Sequence, residues 1–271
     1  EWAISGDEII VPQCLIDGSR DQAGSLLGKE AEVVMDNQSI RWTGTGQNST
    51  VYFPSSKDAY DFYGYYIDDL TPANVQRTES SISFDVEIDG TQDLMSAKAA
   101  LSAEQETLLH SMAEKDNVLQ ALYSSYTARR NFQPLLKFRH HLVRLKFQIF
   151  AGKTASDQVY VNSVRVESRV KGTFTVADKE ESKIGIVFSE ESPTKVLELK
   201  DANGVDLADD YNVAYNPAES GKPVFERTPK DIGESLLVAP SDSYQFTIGL
   251  EQDFDGERVP YITTDQLKLS D

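Results

Sequence analysis

One stretch limits what this chain can fold into more than any other: Val143-Arg144-Leu145-Lys146-Phe147-Gln148-Ile149. Odd positions there are apolar and even positions are polar. A period of two sends the two sets to opposite faces of a β-strand, one dry and one wet. The residues before it, Phe138-Arg139-His140-His141-Leu142, carry the pattern back, with His141 on the apolar face. We therefore expect one strand whose residues His141, Val143, Leu145, Phe147 and Ile149 face a core. At such positions, truncating Leu145 or Phe147 to Ala would cost about 2–5 kcal/mol.

Similar runs recur along the chain. Ala31 to Met35, Ser49 to Pro54 and the aromatic stretch Tyr60 to Ile67 precede the cleanest of them, Ser81 to Ile88. There Ile82, Phe84, Val86 and Ile88 share one side, and Asp89-Gly90 ends the run with a good turn pair. Later come Val159 to Val170, Thr173 to Ala177, Ile184 to Phe188, Val196 to Leu199, Leu236 to Ala239 and Tyr244 to Leu250. Within the first of these, Val159 and Val161 shift parity to Val164 and Val166 across Asn162-Ser163, which reads as a bulge. Short strands separated by Gly, Asn, Asp and Pro point to β-sandwiches. Lys200 to Tyr211 and Asn216 to Gly233 read as long loops at a sandwich end.

One segment breaks the pattern. Leu101 to Arg130 has neither Gly nor Pro and is rich in Ala, Leu, Glu and Gln. Ser102-Ala103-Glu104-Gln105 is a capping-box signature, and Leu108, Met112, Leu119, Leu122 and Tyr126 fall near helical spacing. We expect one or two helices packed on the surface. Pro134 cannot continue a helix and biases Gln133 to an extended conformation. The expected domains are therefore 1–133, ending in the helical insertion near 101–130, and 134–271.

Composition narrows the function. The 44 acids outnumber the 26 bases, for a net charge of −18. Nucleic-acid phosphates and anionic lipid headgroups would be repelled by such a chain, so neither is an expected partner. A lone cysteine, Cys14, makes no intrachain disulfide and sits among apolar neighbours, so a small buried residue is expected there. No apolar run approaches the length of about 20 residues that spans a bilayer.

Candidate chemistry is sparse. His140 and His141 are adjacent in a strand and point to opposite faces, so they do not share a metal easily. His110 stands alone in the helical insertion. The pairs Asp68-Asp69, Glu180-Glu181, Glu190-Glu191 and Asp209-Asp210 are sequence neighbours, which does not place carboxylates across a cleft as a glycosidase needs. Asp201 to Asp206 offers oxygens at alternate positions, but Asn212 stands where a calcium loop has its glutamate. Gly44-Thr45-Gly46 is too short for a nucleotide site, and no phosphate-loop, serine-elbow or His-Glu-x-x-His motif is present. Tyr60 to Tyr66 has the residues of a sugar-stacking platform, yet a buried strand with tyrosine hydroxyls at its rim is the expected outcome. We expect no catalytic, cofactor or metal site.

Three stretches carry a resemblance. Trp42, Val51-Tyr52-Phe53-Pro54 and Asp61-Phe62-Tyr63-Gly64-Tyr65-Tyr66 form the first. Gln92-Asp93-Leu94-Met95-Ser96-Ala97 is the second. The third runs from Phe138-x-His140-x-Leu142-Val143-Arg144-Leu145-x-Phe147 through Val161-Asn162-Ser163-Val164, Lys171-Gly172-Thr173-Phe174 and Leu236-Leu237-Val238-Ala239-Pro240. In order and spacing these resemble the fimbrillin-like pilins of Bacteroidia, the type V pilus subunits.

The resemblance implies a mostly β protein of two tandem transthyretin-like β-sandwiches, exported as a lipoprotein and displayed at the outer membrane in a fimbrium. It implies a structural and adhesive subunit, not an enzyme, whose partners are other pilin subunits joined by β-strand exchange. A host glycan or protein is a further possible partner. The alternative is a surface lipoprotein of the same fold that binds such a ligand and does not polymerise. Cys14 follows no signal-like sequence, so the lipid anchor is expected on a precursor segment outside this chain. The long helical insertion suggests a tip or accessory subunit over a repeating stalk. The closing strand usual in the family is not evident after Leu267-Lys268-Leu269, so an open edge is expected near Tyr244 to Leu250. Far-ultraviolet circular dichroism is expected to be dominated by strand, and a helix-dominated spectrum would overturn this reading.

Overall fold

The computed structural model describes residues 57–78 except 58, residues 80–149, 159–207 and 229–268, and the strand segments 13–16, 26–34, 39–42, 215–217 and 223–225. In chain order its elements are β1 (Gln13–Ile16), β2 (Leu26–Val34), β3 (Ser39–Trp42), β4 (Phe62–Tyr66), β5 (Ala73–Arg77), β6 (Ser81–Glu87) and β7 (Met95–Ala100). Three helices follow, α1 (Ala103–Ser111), α2 (Lys115–Gln120) and α3 (Ser125–Ala128). Then come β8 (Leu135–Leu136), β9 (Arg139–His140), β10 (Val143–Ile149), β11 (Val159–Arg169), β12 (Lys171–Asp178) and β13 (Gly185–Phe188). The last are β14 (Thr194–Glu198), β15 (Tyr215–Pro217), β16 (Pro223–Phe225), β17 (Lys230–Val238), β18 (Ser243–Phe254) and β19 (Glu257–Lys268). The protein is mostly β, in several antiparallel sheets.

Two compact units emerge. One comprises Glu1–Val86, Asp93–His141 and Gly172–Val187; the other comprises Glu87–Gln92, Leu142–Lys171 and Phe188–Asp271. The expected cut between 133 and 134 thus falls inside the first unit. Its physical cause is that β8 and β9 both pair with β7 and so extend the sheet begun upstream.

The first unit holds the sheet β3-β2-β1-β4-β7-β8, with β9 also on β7, and the sheet β13-β12-β6-β5. Alternation in β6 buries Ile82, Phe84 and Val86, as its sequence dictates. Phe84 meets Tyr65 at 5.6 Å and Phe174 of β12 at 5.8 Å between ring centroids. Tyr63 is buried but its hydroxyl donates to the Asp178 carbonyl at 3.1 Å, satisfying the polar end of an apolar side chain.

The helical insertion belongs to this unit as well. Ser102 and Gln105 form the reciprocal capping box at the start of α1. However, Met112 is extended, which ends α1 and resets the helical phase. Leu109 and Val118 are consequently buried beside Leu122, while Leu108 and Leu119 of the expected stripe are exposed. Leu109, Val118, Leu122, Tyr123 and the fully buried Phe132 pack with Tyr60 into one cluster. The insertion is therefore anchored to the strand β4 region rather than laid over it loosely.

The second unit has the four-stranded sheet β14-β11-β18-β19, the pair β10-β17 and the short pair β15-β16. The expected bulge is present: the β11–β18 register shifts between Val161 and Ser163. It lets Val161 on one side and Val164 and Val166 on the other all reach the core. The single strand expected across His141 is broken, because His141 and Leu142 separate β9 from β10. The His141 N–H instead donates to the Leu94 carbonyl at 2.8 Å.

Phe132 is 0% exposed and links the end of α3 to the insertion's cluster. Phe132→Ala is expected to lower stability by about 3–5 kcal/mol in urea unfolding. A loss below about 0.5 kcal/mol would mean that the insertion packs elsewhere.

Candidate functional site

The alternating run Val143 to Ile149 lies in the second unit as strand β10. Strand β10 runs antiparallel to β17, from Val143 opposite Val238 to Ile149 opposite Lys230. Among the described strands, β17 is its only ladder partner. Alternation in β10 holds from Leu145 onward: Lys146 and Gln148 are exposed, Arg144 is half-buried, and Val143, Leu145, Phe147 and Ile149 take the other face. Those four are only half-buried, whereas Ile232, Leu236 and Val238 of β17 are buried. Phe147 meets Phe246 of β18 edge to face, with centroids 5.8 Å apart. Phe246, Ile248 and Leu250 are likewise half-buried, although Tyr244 at the start of the same strand is 2% exposed. Among the described residues, burial thus falls from Tyr244 to the later apolar residues of β18 and is partial along β10.

Gly233 shapes the β17 side. It has φ +59, and a Cβ there would lie 2.7 Å from Leu199 Cγ, so only glycine fits. The β10–β17 register shifts beside it, between Lys146 and Phe147.

The open edge expected at Tyr244 to Leu250 is not there. Strand β18 is interior, paired with β11 on one side and with β19 on the other. The hairpin partner escaped the sequence reading because Glu257–Lys268 has no apolar alternation. Its residues from Glu257 to Gln266 are exposed on both faces. Among the described strands, the edges of this sheet are β14 and β19.

The two adjacent histidines, in the first unit, have separate partners. His140 Nδ1 lies 2.6 Å from Asp93 Oδ2. His141 Nε2 lies 2.7 Å from Ser96 Oγ, and its ring meets Phe174 edge to face at 5.3 Å. A cavity of about 490 Å³ is lined by Arg139, His140, His141, Glu181, Ser182 and Ile184. Burial, helped by the charges of Arg139 and His140, pushes the His141 pKa down to about 4. Burial also raises the Asp93 carboxyl, against the pull of His140.

The remaining candidates are occupied by local structure. The Asp201 carboxylate accepts the N–H groups of Asn203 and Val205, at 2.8 and 2.9 Å, which hold it below the usual carboxylate range. Asp206 pairs with Lys200 across this turn. Glu180 pairs with Lys183 at 2.9 Å, and Asp68-Asp69 and Glu190-Glu191 are exposed turn residues. His110 Nδ1 is 2.7 Å from the Glu106 carbonyl oxygen. Among the described residues, no three His, Cys, Asp or Glu side chains cluster as a metal would require. Asp209-Asp210, Gly44-Thr45-Gly46, Val51 to Pro54 and the side chains of Cys14 and Trp42 lie outside the described residues. No helix of the described residues is long and apolar enough to cross a membrane.

A protein-family model described as fimbrillin-like matches residues 5–255. No curated protein and no solved structure matches the chain.

His141 makes a test of the first unit. Its folded pKa of about 4 lies below its ordinary value of 6.5, so the unfolded chain takes up the proton first as pH falls. The stabilisation is complete above the ordinary value and is lost on acidification toward about pH 4. Asp93, with its raised pKa, works in the opposite sense, so comparison with a variant is needed. Between about pH 7 and about pH 4 the parent is expected to lose up to about 3 kcal/mol more than His141→Gln. Parallel stability curves in urea would refute this.

Proposed function

Because the chain belongs to the fimbrillin-like family, we propose that it is a non-catalytic structural subunit of a cell-surface pilus, joined to its neighbours by β-strand exchange. The observation that carries the exchange is the half-covered apolar face at β10. Val143, Leu145, Phe147 and Ile149 are less buried than Ile232, Leu236 and Val238 of β17, and among the described strands only β17 pairs with β10. A strand supplied by another subunit would add backbone hydrogen bonds beside β10 and seat alternate side chains over Leu145, Phe147 and Ile149. Each large apolar side chain buried in full is worth about 1.5–3 kcal/mol, so completing the partial burial of these residues adds at most about 1 kcal/mol each.

The rest of the reading follows the family. Two transthyretin-like sandwiches in tandem, export on a precursor segment, a lipid anchor and an outer-membrane fimbrium make up the biological setting. The insertion held by Phe132, Leu109 and Val118 is an ordered addition to the first unit. It favours a tip or accessory position, where an extra surface does not have to repeat along a stalk. A host glycan or protein is the kind of ligand such a position would present. The net charge of −18 speaks against nucleic acid as a partner.

The test uses synthetic peptides spanning the terminal strands of this chain and of co-expressed pilins. At peptide concentrations of about 100 times Kd, binding to the folded state alone is worth about 2.7 kcal/mol, visible as a raised unfolding temperature. The rise is expected with at least one peptide, and Phe147→Asp is expected to abolish it. Should no peptide shift the transition, the protein is better read as a surface protein of the same family that does not polymerise.

A further inference from the structure

The outer edge of β19 carries two obstacles to pairing, and both are its own residues. Its hairpin with β18 turns on Asp255-Gly256, with φ of 52° and 87°. Positive φ at both positions marks a two-residue type I′ turn. Phe254 and Glu257 flank it, and in such a hairpin the flanking residues exchange both of their backbone hydrogen bonds. Bonded and non-bonded pairs then alternate down the ladder. The ladder pairs residue for residue from Phe254–Glu257 to Ser243–Lys268 with no shift. Glu251–Pro260, Gly249–Ile262, Thr247–Thr264 and Gln245–Gln266 are consequently non-bonded pairs. The backbone groups of Pro260, Ile262, Thr264 and Gln266 point away from β18.

Two contacts agree with this count. The hydroxyls of Thr247 and Thr264 are 3.4 Å apart, as suits the closer side chains of a non-bonded pair. The Gln266 N–H donates to Asp265 Oδ1 at 2.8 Å, which requires it to point off the ladder. So Pro260 has no N–H to offer, and the N–H of Gln266 is already taken by the carboxylate beside it. Between these two obstacles only Ile262 and Thr264 present outward N–H groups.

We propose that Pro260 and Asp265 together keep this edge from pairing with the β19 strand of a second copy of the chain. The same edge is the natural partner to exclude, because every folded copy displays it. Tyr261 and Ile262 are also 65% and 66% exposed on opposite faces, which makes the strand attractive to another. Antiparallel self-pairing centred within Ile262 to Thr264 has three registers. Centred on Ile262, it sets Pro260 against Thr264 at both ends. Centred on Thr264, it sets Ile262 against the capped Gln266. Centred on Thr263, it keeps four bonds between Ile262 and Thr264 but sets Pro260 against Gln266 twice. Every register is cut short. This inference does not depend on strand exchange at β10, and it would hold for a subunit that never polymerises.

The experiment compares the parent chain with Pro260→Thr/Asp265→Ala by sedimentation over a concentration series. Both substitutions are at exposed positions, and unchanged far-ultraviolet circular dichroism confirms that the variant is folded. The variant is expected to self-associate at least about tenfold more tightly, with slowed amide exchange at Ile262 and Thr264 at high concentration. Adding Thr264→Pro, which removes an outward N–H, is expected to return it to parental behaviour. A folded double variant that associates no more than the parent overturns the proposal. So does association that leaves exchange at Ile262 and Thr264 unchanged, or that survives Thr264→Pro.

Discussion

The β11–β18 ladder is the contact on which the second unit depends. Strand β18 is twelve residues long and receives β11 on one side and β19 on the other. Its pairing with β11 works only because of a bulge at Asn162-Ser163 and a glycine opposite. A Cβ on Gly249 would lie 2.3 Å from Ser163 Oγ and 2.4 Å from Asn162 Oδ1, so any side chain there would force both bulge side chains out of their present positions. With the bulge in place, Val164 and Val166 turn inward and become 2% and 0% exposed. Leu197 of β14 and Leu199 just beyond it are buried, and the Leu199 N–H reaches the Val164 carbonyl at 2.9 Å. At the other end, the buried Tyr244 closes the corner: its hydroxyl donates to the Ala239 carbonyl and accepts from the Ser241 N–H, both at 3.1 Å.

The first unit solves its packing differently. Aromatic rings from three segments meet there, Tyr65, Phe84 and Phe174, and the His141 ring joins them on the far side of Phe174. A neutral imidazole suits that position, since one nitrogen meets Ser96 Oγ and the ring edge lies against apolar surface. Charging it would strand a cation beside Arg139 and His140. The same tie draws the chain out of strand geometry at His141. This explains why the alternation of Val143–Ile149 does not continue upstream as one strand.

Local pattern made much of this legible. Period-two runs announced β6, β10, β11 and β18, the parity slip announced the bulge, and Ser102 to Gln105 announced the start of α1. What was hidden came from distant contacts or from missing ones. The break at His141 is set by Leu94 and Ser96, some 45 residues away in the chain for the latter. The buried stripe of the insertion moved because Met112 is extended, which no spacing rule anticipates. Strand β19 was invisible to periodicity because both of its faces are wet, although Asp255-Gly256 was a hairpin signal in plain view. The half-burial at β10 was also beyond reach, since alternation says which face turns inward and not how well it is covered. For Leu145 and Phe147 it brings the cost of truncation toward the lower end of the range for core positions, about 2 kcal/mol.

The two strand surfaces of the second unit differ in what a partner could gain there. Ordering one residue of an incoming strand costs about 1–2 kcal/mol of backbone entropy, and a hydrogen bond returns about 1 kcal/mol net. Backbone pairing alone therefore breaks even at best. Beside β10 an added strand would also cover Leu145, Phe147 and Ile149, and that burial can tip the balance. It also makes the site selective, because only a strand with apolar residues at the right alternate positions collects the gain. Along β19 the exposed apolar side chains Val259, Tyr261 and Ile262 lie toward the turn, and from Thr263 to Gln266 a partner finds no apolar surface to bury. Pairing there rests on the hydrogen bonds themselves, and an edge that balanced can be closed by a proline and one carboxylate. A greasy face has no such small remedy, and so the strand exchange proposed at β10 and the closure proposed at β19 are compatible within one unit.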